Sequence, residues 1–137
     1  MQTSSNGREY IKSNEGLTLK AKGDYGHEVI GYGHDLLLGE SYSDGISIED
    51  AEILLQADVA KVDAAMNAQH LALEFNQNQW DAIADFTFEC GVGALIQLLA
   101  HGIDQIPAQL PRWVHAGGTV LLGMVARRAK DVALYNS

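Results

Sequence analysis

Two pairs of residues fix where helices must begin, and they constrain this chain more than anything else in it. Ser47 with Asp50 in "SIED", and Asn76 with Gln79 in "NQNQ", each put an acceptor at a helix N-cap with a second acceptor three residues on. In that arrangement each side chain satisfies a backbone N–H that the helix itself leaves free. The first pair predicts a helix of about twenty residues, and Leu55, Val59, Val62 and Met66 recur along it at spacings of four, three and four, which is one helical face. The second opens "QNQWDAIADFTFEC", apolar nearly all round, so this helix belongs at the centre of the core with Trp80 and Phe86 inside it.

Upstream the pattern changes. Asn6 followed by Glu9 reads as an N-cap for a short helix with Tyr10 and Ile11 on its apolar face, and Gly16 is a natural C-terminal stop. Thr18, Leu19, Val29, Ile30 and Tyr32 suit strands, and Gly23 with Gly26 marks a turn, which predicts a small antiparallel hairpin over 17–34. Downstream, shorter helical pieces are broken by Gly102, Pro107 and Pro111, and a last helix from about Val120 to Asn136 carries Leu121, Val125 and Val132 on one side. The expected fold class is α+β: a small β-hairpin lobe over about 14–46, a long connecting helix, and a mainly helical lobe over about 68–137. At 137 residues this is one domain.

Charge and composition exclude several functions. The net charge is −9, and between Gly23 and Pro111 fifteen acidic residues face one base, Lys61. Such a body lacks the basic face that nucleic acid needs. No apolar run approaches a membrane span, so no membrane insertion is expected. The first ten residues lack the apolar stretch of a secretory signal. Cys90 is the lone cysteine, which excludes an intrachain disulfide and a thiolate zinc cluster. No cofactor or metal is implied.

Chemistry concentrates in Asn14–Asp35, "NEGLTLKAKGDYGHEVIGYGHD", where five glycines, four carboxylates and two histidines share twenty-two residues. Two carboxylates in different settings suit glycoside hydrolysis, which needs one protonated and one ionised. Glu15, at a helix C-terminus, is disposed to keep its proton, since the terminal carbonyls and burial both oppose its charge. Asp24, in a glycine-rich turn beside Lys22, is disposed to stay charged. His27 reads as a surface histidine near that turn, and Gly91–Gly93 as a helix–helix corner without the P-loop lysine.

Read in order, "EGLTLKA", the turn aspartate, "IGYGH", "FNQNQWDAIADFTFECGVGA", "RWVHAGG" and "LLGMVARR" resemble the phage-type lysozymes, glycoside hydrolase family 24, over nearly the whole chain. The resemblance implies a muramidase acting on the β-1,4 bond between N-acetylmuramic acid and N-acetylglucosamine in bacterial peptidoglycan. Glu15 would be its general acid and Asp24 its second carboxylate. It implies a structural pair between His34, after "IGYG", and Asp58 on the long helix. Phe88, Glu89 and Asp35 fall at positions that touch sugar or lie beside it. Of the adjacent Arg127 and Arg128, about 100° apart on a helix, one can face the cleft and bias Glu15. The resemblance further implies a monomer that waits in the host cytoplasm before release to the wall.

The chain also departs from that pattern. Val29 stands where the family carries a threonine that positions the attacking water, so one hydroxyl is missing. Glu89 replaces an amide, the tract from Leu95 to Arg112 is shortened, and "KAKGD" lacks the usual aromatic. Such scattered changes also fit an engineered or artificial relative. Besides an active muramidase, a catalytically impaired peptidoglycan-binding protein and an unrelated helical interaction module stay open.

Overall fold

Four polar residues decide how the chain starts. The computed structural model describes residues 1–24 and 27–137, with Asp24 described by its backbone alone. Helix α1 spans Ser5–Glu15, and its cap is Ser4, not Asn6: the Ser4 hydroxyl accepts from Gly7 N–H at 2.9 Å. The reason is distant in sequence. Ser4 N–H donates to Asp81 at 2.9 Å, its hydroxyl donates to the same carboxylate, and Thr3 donates to Asp63 through both its N–H and its hydroxyl. These anchors fasten the start of α1 to the helices that follow.

Gly16 takes φ 71° and caps α1, turning the chain into strand β1, Thr18–Asp24. Strand β2, His27–Gly31, pairs antiparallel with β1, and a short third strand β3, His34–Asp35, extends the expected hairpin. Thr18 faces Gly31 while Lys22 faces Val29, so β1 carries an irregularity that bends it. Gly26, expected in the turn, lies outside the described residues.

Helix α2, Ile48–Ala68, begins with the expected capping box, and Leu55, Val59, Val62 and Met66 are all buried. Helix α3, Gln77–Cys90, also has its capping box. It touches α1, α2, the following helix α4 (Val92–Leu99) and the last helix α6 (Leu122–Tyr135), with Trp80, Ile83 and Phe86 fully buried. Gly91 joins α3 to α4 at φ 90°, the expected corner.

Two expectations need correction in the last third. Pro107 and Pro111 lie in the first turns of short helical segments, including α5 (Ile106–Gln109), where a missing N–H costs nothing. A small hairpin, β4 (His115–Ala116) and β5 (Thr119–Val120), turns at Gly117 and Gly118, so α6 spans Leu122–Tyr135 and starts later than expected. Val125 on that helix is exposed; its buried residues are Arg127, Arg128, Asp131 and Tyr135. The helix docks through charge in its middle, where Arg127 and Arg128 meet the carboxylates of α3, and through Val132, Leu134 and Tyr135 against the apolar core at its end.

Candidate active site

A cleft of about 1000 Å³ opens between the sheet and the helices. Glu15, Val29 and Asp35 line one side, and Trp113, His115 and Met124 line the other. Among the described residues no group of three or more His, Cys, Asp or Glu side chains is arranged to hold a metal ion. No helix among them is long and apolar enough to cross a membrane.

Glu15 is the last residue of α1, the helix that Thr3 and Ser4 anchor at its other end. The carboxyl rests on Gly33: a Cβ there would lie 2.5 Å from Glu15 Oε2. On the other side Glu15 Oε1 lies 2.9 Å from Arg127 Nη2. Burial raises the Glu15 pKa above the ordinary carboxylate value; Arg127 pulls it down by charge and hydrogen bonding, and Glu89 and Asp85 push it up. The net direction is upward, which favours the protonated form.

Arg127 is shared. Its Nε and Nη2 grip both oxygens of the fully buried Asp85 at 2.9 Å each, and its Nη1 donates to Glu89 at 2.6 Å. Arg128, fully buried behind it, contacts the other oxygen of Glu89 at 2.9 Å, Asp131 at 2.9 Å and the Phe86 ring at 5.2 Å. Only Arg127 of the two reaches Glu15. Tyr10 donates to Asp131 at 2.7 Å, and burial with the nearby Asp85 charge pushes the Asp131 carboxyl up against the pull of Arg128. Burial also pushes the Cys90 thiol up to about 11, which leaves it a poor nucleophile at neutral pH.

Other expected residues fall around this centre. The backbone of Asp24 ends β1 opposite His27; its side chain lies outside the described residues. Val29 faces Asp35 across the β2–β3 pair and Lys22 across the β1–β2 pair. His27 Nδ1 lies 2.9 Å from Asp35 Oδ1, both largely exposed. Phe88 and Glu89 line the cleft, with both Glu89 oxygens held by arginines.

His34 Nδ1 lies 2.6 Å from Asp58, and its Nε2 lies 3.2 Å from Glu40. Burial alone would lower the His34 pKa; hydrogen bonding and charge from Asp58 and Glu40 outweigh it, and the net direction is upward. The Glu40 carboxyl sits below its ordinary value because Leu37 N–H and Tyr42 OH donate to it, with His34 adding to the effect.

Reading the sequence missed Glu40, Asp85 and the far-wall residues Trp113 and His115. A signal existed for Asp85: Asp81, Asp85 and Glu89 recur every fourth residue, a carboxylate stripe on one helix face that must find cations or protons. No spacing pattern marks Glu40, which reaches His34 through a loop.

Comparison with known proteins gives a consistent result. The family model described as phage lysozyme matches residues 12–131. The chain is 40% identical over 149 residues to an endolysin of Bacillus phage PZA, covering 100% of this chain and 56% of that protein. It is 34% identical to an endolysin of Acyrthosiphon pisum secondary endosymbiont phage 1, covering 100% of this chain and 99% of that one. The chain thus spans about half of the first relative and nearly all of the second. Among solved structures, the muramidase domain of SpmX from Asticaccaulis excentricus matches with a TM-score of 0.80 at 29% identity, covering 99% of this chain and 98% of that one.

Proposed function

The chain belongs to the phage lysozyme family, and on that premise we propose that it is a glycosidase that hydrolyses bacterial peptidoglycan. The bond cut is the β-1,4 link between N-acetylmuramic acid and N-acetylglucosamine, and the consequence is lysis once the protein leaves the host cytoplasm and reaches the wall. The observation that carries this reading is Glu15: a carboxyl at a cleft, mostly buried, whose protonated form is favoured by its surroundings. Glu15 donates its proton to the glycosidic oxygen as the bond to the anomeric carbon breaks. Asp24, ionised, supports the developing positive charge or the incoming water. Phe88 and Asp35 supply contact surface to the sugars along the cleft, and the reaction calls for no cofactor.

Clearance of bacterial cell-wall suspensions by the wild type and Glu15→Gln tests this directly. The amide keeps shape but has no proton to give, and a general acid is worth about 10²–10⁴-fold. Retention of more than a tenth of wild-type activity rejects Glu15 as the acid. Asp24→Asn is expected to lose activity too; a neutral result removes the second carboxylate from the mechanism.

One observation favours a second reading. Val29 lines the cleft without a hydroxyl, so a peptidoglycan-binding protein with impaired turnover is its natural outcome. Retention on purified peptidoglycan without any clearance selects that reading.

A further inference from the structure

Among the described residues Arg127 is the one cation paired with Glu15, and Glu15 comes third to it. Asp85 takes Arg127 with two hydrogen bonds at 2.9 Å, Glu89 takes a third at 2.6 Å, and Glu15 is left a single contact at 2.9 Å on a nitrogen already engaged with Asp85. We propose that Glu89 is a positioning residue for the reaction: by occupying Arg127 and setting its own charge beside Glu15, it keeps the Glu15 carboxyl protonated until substrate arrives. This rests on the reading of Glu15 as the general acid.

The charge balance leads there independently of any single contact. Glu15, Asp85, Glu89 and Asp131 surround two guanidinium groups, Arg127 and Arg128. Fully ionised, this half-buried cluster would carry two uncompensated negative charges, and in a desolvated setting such charge is relieved by binding protons. The nearby lysines on the helices are engaged elsewhere. Lys12 on α1 pairs with Glu9 and with Glu52 of α2, and Lys130 on α6 bonds the Asn14 amide oxygen at 3.1 Å. On the open side, His27 is paired with Asp35, while Lys22, Arg112 and His115 line the cleft. Tyr10 is already committed to Asp131, and Cys90 to Arg128. Glu89 is the member of the cluster suited to a test: it is partly exposed, and glutamine preserves its size.

Glu89→Gln removes one negative charge from beside Glu15. The sign follows: the Glu15 carboxyl gives up its proton more readily, so the alkaline limb of the activity profile moves to lower pH. A shift of about one pH unit is expected, which is about tenfold less clearance at a pH above both midpoints. The same displacement should appear in a ¹³C titration of the Glu15 carboxyl in the intact protein, which needs no turnover. An unmoved Glu15 carboxyl overturns the proposal, as does a fall in melting temperature with both midpoints unchanged, which would make Glu89 merely structural. If neither protein clears cell walls, the carboxyl titration still decides the role of Glu89. The reading of Glu15 as acid fails separately, through Glu15→Gln.

Discussion

Gly33 offers the sharpest test of how the cleft is built, because one added methyl group would strike the proposed acid. Gly33 has φ 69°, and a Cβ there would lie 2.5 Å from Glu15 Oε2 and 2.7 Å from its Cδ. Carbon and oxygen atoms in ordinary contact sit roughly 1 Å farther apart, so the carboxyl must retreat by about that much. Retreat is possible, since the clash is with the end of a flexible side chain. It also takes Oε1 from its 2.9 Å contact with Arg127. The left-handed backbone adds a penalty of roughly 1–2 kcal/mol for alanine. The total cost to folding is then about 1–3 kcal/mol, or a fall of about 4–10 °C in melting temperature for a chain of this size. The cost to catalysis is larger: a misplacement of about 1 Å is worth on the order of 10²-fold. Gly31→Ala is the control. Gly31 shares the left-handed conformation at φ 65°, yet a Cβ there meets Ala51 at an ordinary 3.4 Å and does not touch Glu15. Thermal melts and cell-wall clearance per folded molecule, measured on both variants, separate backbone strain from displacement of the acid. The reasoning is refuted if Gly33→Ala clears walls within threefold of the wild type, or if Gly31→Ala loses as much activity as Gly33→Ala.

Three more outcomes follow from other parts of the molecule. Gly7→Ala should lower the melting temperature although alanine is the better helix former: its Cβ would lie 2.5 Å from Asp81 Cγ, and about 1–3 kcal/mol of overpacking exceeds a gain of about 1 kcal/mol in propensity; a variant as stable as the parent contradicts this. His34→Ala should cost about 2–4 kcal/mol at pH 6, somewhat below a fully buried pair because Asp58 is partly exposed. Since the His34 pKa is raised on folding, that contribution is full below about pH 6.5 and fades as pH rises through the folded value, so a difference from wild type that stays flat up to pH 9 would disprove the linkage. Val29→Thr should speed clearance about 5- to 150-fold if a hydroxyl to the water, worth roughly 1–3 kcal/mol in the transition state, is what the site lacks; an unchanged rate assigns the water to another group, with His27 and Glu28 the nearest candidates.

What the sequence could disclose was local, and the reason is visible residue by residue. The capping boxes at Ser47 and Asn76 and the stop at Gly16 need only neighbours within four positions, so they are readable from the chain alone. The N-cap at Ser4 is not: Asn6 has the right chemistry, and the choice is made by Asp81, seventy-seven residues away. The same holds for α6, where the pattern of Leu121, Val125 and Val132 suggests an apolar inner face. Arg127 and Arg128 turn inward because Asp85 and Asp131 wait there, and Val125 is left in solvent. Glu15 could be singled out by its helix-end position, but not the burial that raises its pKa or the competition for Arg127 around it. The carboxylates that compete lie on α3, and no spacing within 14–35 reports them.

That competition also explains an oddity of the helical body. Arg128, Asp85 and Asp131 are fully buried, at a place where well-packed apolar side chains would often serve stability as well or better. The layer is not even fully bonded: Arg128 Nε and Nη2 and Asp131 Oδ2 make close ionic contacts at 2.9 Å, yet none has an aligned hydrogen bond. A fold selected for stability alone has no use for such a layer. The proposed acid gives it one: a guanidinium beside Glu15 can orient that carboxyl while Asp85 and Glu89 largely neutralise its charge. Asp85 and Glu89 perform that neutralisation from the helix at the centre of the core, and Arg128 with Tyr10 and Asp131 holds the helix that presents Arg127 in place. If Glu15 is the acid as proposed, the buried charges and the acid are one construction, in which the cost to folding and the service to catalysis come from the same residues.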